Sequence, residues 1–141
     1  MLYDIIVIKK CNVMKRTILF CFCFLFILIL CSCGKLSVDK NQTVQLVYKY
    51  ADAAVDVQLS KQESETILDI FDGKELFFDN PSCGFDENIS LRIDGRIYCP
   101  ACDTCCTVKD CSSGQYFTVS RSERDTIEKI FNTHGGRFPC V

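Results

Sequence analysis

Hydrophobic positions along this chain follow three different rhythms, and each rhythm predicts a different element. From Ile18 to Leu30 apolar residues run without a break. From Thr43 to Tyr50, Val44, Leu46 and Tyr48 alternate with polar neighbours, and Val55-Asp56-Val57-Gln58-Leu59 does the same, so both stretches predict strands joined through 51–54. After Ser60 the period changes to that of a helix, with Ile67, Ile70 and Phe71 on one stripe and Leu68 beside them, and Gly73 placed to end it. Ser60-Lys61-Gln62-Glu63 opens this helix as a capping box. Further on, Asn88 to Ile93, an Asp94-Gly95 turn of type I′, and Arg96 to Cys99 predict a hairpin. Thr104 to Lys109 and Gln115 to Val119 predict two more strands around a turn at Ser112-Ser113-Gly114. The expected fold is α+β: an antiparallel meander with two short amphipathic helices on one face and a cysteine-rich hairpin region.

The strand–helix unit occurs twice. Tyr116 to Val119 leads into Ser120-Arg121-Ser122-Glu123, and Thr126, Ile127, Ile130 and Phe131 follow. Ser60/Ser120, Glu63/Glu123, Thr66/Thr126, Ile67/Ile127, Ile70/Ile130 and Phe71/Phe131 are identical at an offset of sixty residues. Two helices with the same cap could converge on part of this pattern. The shared threonine and the Ile-Phe pair are demanded by neither cap nor period, which favours an internal repeat.

The unbroken run is too short to cross a bilayer, which takes about 20 apolar residues, and has the length of a secretory h-region. Met14-Lys15-Arg16 gives it a basic start, leaving 1–13 as an extension in front of the true start. Leu30-Cys31-Ser32-Cys33-Gly34 closes it, and this ending resembles the lipobox of bacterial lipoproteins. The resemblance implies cleavage before Cys33, a lipid on its sulfur, and a domain held on the extracytoplasmic face of a cell membrane. The alternative is an uncleaved N-terminal anchor. The organisation expected is a signal peptide over 14–32, lipidated Cys33 and a polar tether over 33–42, and one domain over 43–141.

The mean hydropathy of +0.14 is raised by the leader. From Cys33 onward the chain is 109 residues with a net charge of −5, one domain in length. No basic cluster lies in it, so nucleic acid is not an expected partner. Gly-x-Gly-x-x-Gly, Walker, Gly-x-Ser-x-Gly and His-Glu-x-x-His patterns are absent, and an enzyme is not expected. The acidic residues of the first helix read as a solvated face, and His134 as a solvated loop residue.

Chemistry is concentrated in the cysteines. Twelve are present; seven follow Cys33, namely Cys83, Cys99, Cys102, Cys105, Cys106, Cys111 and Cys140. Export favours disulfides among Cys83, Cys99, Cys102, Cys105 and Cys140, with Cys106 and Cys111 as an extra pair, and the odd count leaves one thiol over. The alternative is a thiolate site for zinc or Cu(I) built from Cys99, Cys102, Cys105 and Cys111. A third reading takes Cys99-Pro100-Ala101-Cys102, which has the spacing of thiol–disulfide exchange proteins, as a redox pair; an apolar helix after Cys102, which such proteins need, is missing. The sequence therefore points to a disulfide-stabilised binding domain of the cell envelope, its partner an envelope component or a secreted molecule.

Overall fold

The computed structural model describes residues 34–138; the leader, Cys33 and Cys140 lie outside them. The two alternating stretches form β1 (Val44–Tyr50) and β2 (Ala53–Gln58), and the capping box opens α1 (Lys61–Phe71). Four strands follow, β3 (Ile89–Ile93), β4 (Arg96–Pro100), β5 (Thr107–Asp110) and β6 (Gln115–Thr118), before α2 (Arg121–Thr133). Both helices carry complete capping boxes, Ser60 with Glu63 and Ser120 with Glu123. At the β3–β4 turn, Asp94 and Gly95 have φ of 49° and 73°, the paired positive values that a type I′ turn requires.

All six strands are antiparallel neighbours in the order β2-β1-β3-β4-β5-β6. The meander is continuous only from β3 to β6, because β1 rather than β2 lies beside β3. Period two then separates two faces. Val57, Leu46, Leu91 and Tyr98 stand opposite one another across four strands and point to the helices. The next row, Gln58, Gln45, Arg92 and Ile97, points to the second face. β5 begins at Thr107 instead of 104, because the Asp103 carboxylate accepts the Cys105 amide at 2.8 Å and holds those residues in a turn.

The helices cross the apolar face in opposite directions. Near its start, α1 accepts the Val44 amide on Ser64 Oγ at 3.2 Å, and at its end Phe71 packs edge-on against Tyr98 at 5.2 Å and Phe117 at 4.9 Å. Phe131, near the end of α2, packs edge-on against Tyr48 at 6.3 Å. The pair is tied at both ends: Glu63 lies 3.0 Å from His134 Nε2, and Glu123 lies 2.7 Å from Lys74 Nζ. Lys74 and His134 are themselves sixty residues apart, so each capping-box glutamate meets a side chain just past the end of the other helix. The repeat thus places its two strands, β2 and β6, at opposite edges of one sheet. His134 is fixed at the α2 C-cap by this contact rather than left in solvent.

These contacts set an acid sensitivity. Hydrogen bonding from the Ser60 side chain holds Glu63 below the ordinary 4.5, against partial burial and with help from the Ser60 amide and His134. For Glu123 burial pushes up, but Lys74 and the Ser120 cap outweigh it and the net shift is down. A depressed folded pKa contributes stability that is present above the unfolded value and lost as pH falls through the folded one. Melting temperature should therefore fall progressively below pH 4.5, the unshifted value. The double variant Glu63→Gln/Glu123→Gln should flatten that acid limb, and an unchanged limb would count against this origin.

Residues 34–42, expected as a free tether, are instead part of the domain. Leu36 is buried in the core, its amide donates to Lys74 O at 2.8 Å, and its carbonyl accepts from Gly73 at 2.8 Å. Gly34 O accepts the Leu76 amide at 2.9 Å. A single leucine in a polar stretch carries no periodicity, yet burying it is worth about 1.5–3 kcal/mol.

Candidate functional site

The second face of the sheet is divided between a covered half and an open half. After α1 the chain passes the β6 edge, where Phe77 and Tyr116 exchange both backbone hydrogen bonds. It then runs beneath the sheet: Phe85 lies 5.5 Å from Tyr116, the Cys102 amide donates to Gly84 O at 2.8 Å, and Ser90 Oγ donates to Glu87 O at 2.8 Å. This segment covers β4 to β6 on the side away from the helices.

Four of the six cysteines among the described residues gather there. Cys83 in the covering segment is disulfide-bonded to Cys105, with Cα atoms 6.2 Å apart. Asp103 sits beside the bond, accepting the Cys105 amide on one oxygen and the Gly84 amide on the other at 3.4 Å. From the opposite side of the sheet Arg124 of α2 reaches the same loop, donating to the carbonyls of Ala101, Asp103 and Cys105 while pairing with Glu128 at 2.5 Å. The loop is held covalently from one side and by a guanidinium from the other.

Cys99 and Cys111 come together separately. Cys99 is opposite Lys109, so Cys111 lies diagonally across the strand pair, and the two sulfurs are 2.8 Å apart. Cys111 is thus beside Cys99 instead of Cys106, whose carbonyl accepts the Val119 amide and whose side chain is half-buried against the core. Burial, then the hydrogen bond between them, pushes the Cys99 thiol far up; burial likewise raises Cys111. Both shifts run opposite to the lowered pKa of an activated nucleophile. Cys102 is buried among core side chains, and the loop after it leads into β5 and not into a helix. The four residues of the thiolate reading are therefore parted: Cys105 with Cys83, Cys99 with Cys111, and Cys102 in the core. A different trio, Cys83, Asp103 and Cys105, brings its ligand atoms within 4.8 Å of one another.

Opening the staple should be costly. The bond closes a loop across 22 residues, and Cys83→Ser should lower the unfolding free energy by about 3 kcal/mol in a urea titration. A loss below about 1 kcal/mol would mean that Arg124 alone fixes the loop.

The open half of the second face holds a basin of about 570 Å³, lined by Thr43, Gln45, Asp56, Gln58, Arg92, Asp94, Gly95 and Ile97. Its floor is the row Gln58-Gln45-Arg92-Ile97, carried on four paired strands. Gln45 Nε2 donates to Asp56 Oδ1 at 2.5 Å. Arg92 Nε is buried with no hydrogen-bond partner, and Arg92 is in none of the ion pairs among the described residues.

Arg92 and Arg124 are absent from a reading built on cysteines. Arg124 had a signal: it stands at i, i+3, i+7 with Ile127 and Phe131, on the apolar stripe where a charge needs partners. Arg92 had none, because a polar residue alternating in a strand reads as ordinary outward exposure. No family model, curated protein or solved structure matches the chain. Its class rests on its own geometry, an antiparallel α+β domain with a stapled cysteine loop and a polar open face.

Proposed function

We propose that this chain is a lipid-anchored extracytoplasmic binding domain, with Cys33 as the lipid site and the open half of the second face as the surface that meets an envelope component or a secreted molecule. The observation that carries this reading is the Cys83–Cys105 disulfide. Such bonds persist in oxidising compartments, which agrees with an export signal. The cysteine-rich loop then serves as the staple that keeps the sheet rigid behind the basin. Because Gly34 O is already bonded to Leu76, a lipid on Cys33 would hold the domain against the membrane without a spacer. Phe78, 75 % exposed, is two residues along from Leu76 and fits a lipid surface.

Two measurements test it. Expression in a bacterial host with labelled fatty acid should label the chain, and Cys33→Ser should abolish the label and release the protein to the soluble fraction. Purified envelope fragments should co-sediment the detergent-solubilised full chain. An unlabelled chain sinks the anchor, and a chain left in the supernatant sinks binding to an envelope component. The rival is thiolate binding of zinc or Cu(I), favoured by the convergence of Cys83, Asp103 and Cys105. It requires the Cys83–Cys105 bond to be open, so native mass of the exported chain with a bound ion, and no linked 83–105 peptide, would put it first.

A further inference from the structure

We propose that the basin recognises a carboxylate borne on a hydroxyl-rich ring, that is, a sugar acid, with Arg92 as the carboxylate's partner; this rests on the binding-domain reading above. Arg92 lines the basin and is in none of the ion pairs among the described residues, so its charge has no protein counter-ion there and is open to an anionic ligand. Guanidinium presents a planar fork that matches a carboxylate bidentately. Its place is set by the sheet: Arg92 is flanked by Gln45 on β1 and Ile97 on β4, one strand spacing away on each side.

The surroundings narrow the ligand further. Asp56 and Asp94 also line the basin, so a dianion such as phosphate would meet more repulsion than a single carboxylate. Aspartate oxygens accept hydrogen bonds from hydroxyls, and the amides of Gln45 and Gln58 with the Thr43 hydroxyl supply both donors and acceptors. Ile97 offers an apolar surface for the face of a ring. One cation, two acceptors, three mixed groups and one apolar contact form a complementary set for an acid carrying several hydroxyls. All but Thr43, Asp94 and Gly95 stand on paired strands, so little ordering would be lost on binding.

The probe is glucuronate, titrated into isotope-labelled full-length chain in detergent micelles and followed by NMR at the Arg92 Nε–Hε signal and the side-chain amides of Gln45 and Gln58. The expected result is saturable shifts at all three. Glucose, which lacks the carboxylate, and acetate, which lacks the hydroxyls, should each bind at least ~10-fold more weakly, and Arg92→Gln should weaken glucuronate by about 10–100-fold, the range of a charge-assisted hydrogen bond. Dispersed backbone signals of the variant report that it is folded. Acetate or trialanine binding as tightly as glucuronate would overturn the sugar-acid assignment. So would the absence of shifts at Arg92 while the chain still co-sediments with envelope fragments, an outcome that leaves the binding role standing. Loss of co-sedimentation as well would remove the envelope-binding role itself.

Discussion

Replacing Arg124 with alanine is expected to lower the unfolding free energy by about 3–5 kcal/mol, the cost of breaking a buried charge pair by removing one partner. The Arg124 side chain is 9 % exposed, and its guanidinium serves three carbonyls of one loop, those of Ala101, Asp103 and Cys105, as well as the Glu128 carboxylate. Alanine leaves those carbonyls without the donor and Glu128, itself 24 % exposed, without a counter-charge. Each buried acceptor left unmet costs about 1–3 kcal/mol, so relaxation of the loop sets where in the range the result falls. Arg124→Lys should recover only part of the loss, because one ammonium cannot span three acceptors that a planar fork reaches together. Urea midpoints of the two variants check this. A loss under about 1 kcal/mol for alanine would mean that the Cys83–Cys105 bond holds the loop unaided.

This clamp shows what a sequence of this kind reveals and what it hides. Features encoded within a few residues were legible: both capping boxes, the Asp94-Gly95 turn and the alternation that buries Leu46 and Leu91 all appear where the pattern puts them. The sixty-residue offset was legible too, though not its consequence, that Glu63 and Glu123 would each reach the end of the other helix. Features that depend on which segments become neighbours were not. Alternation in β1 and β2 is the same whichever of them sits beside β3. Nothing in the spacing of Cys99 and Cys111 says that Cys99 on β4 meets Cys111 just past the end of β5, since that follows from the register of Cys99 with Lys109. Leu36 looked like tether because one buried residue makes no pattern. Arg92 looked like solvent-facing polarity because its partners in the row, Gln58, Gln45 and Ile97, come from three other strands.

Phe71→Ala is the other large effect, with an expected loss of about 3–5 kcal/mol from lost burial and the cavity left behind. Phe71 is fully buried where α1 ends and meets Tyr98 and Phe117 edge-on, with those two rings 6.2 Å from each other. Neighbours on β4 and β6 are fixed by strand pairing, so they cannot close on the space. Its counterpart in the repeat, Phe131, is equally buried but meets Tyr48 and, at 5.0 Å, Phe138, which lies past the helix in irregular backbone. That side can relax further, so Phe131→Ala should cost less than Phe71→Ala, nearer about 3 kcal/mol. Equal losses in urea unfolding would show that the two halves pack alike despite their different surroundings. Both phenylalanines lie on the helix side of the sheet, whereas Gln58, Gln45, Arg92 and Ile97 line the other side. At temperatures where the variants remain folded, either alanine should therefore leave the NMR signals of the basin in place. A core substitution that disturbed them would show that helix packing and the basin are coupled through the strands they share.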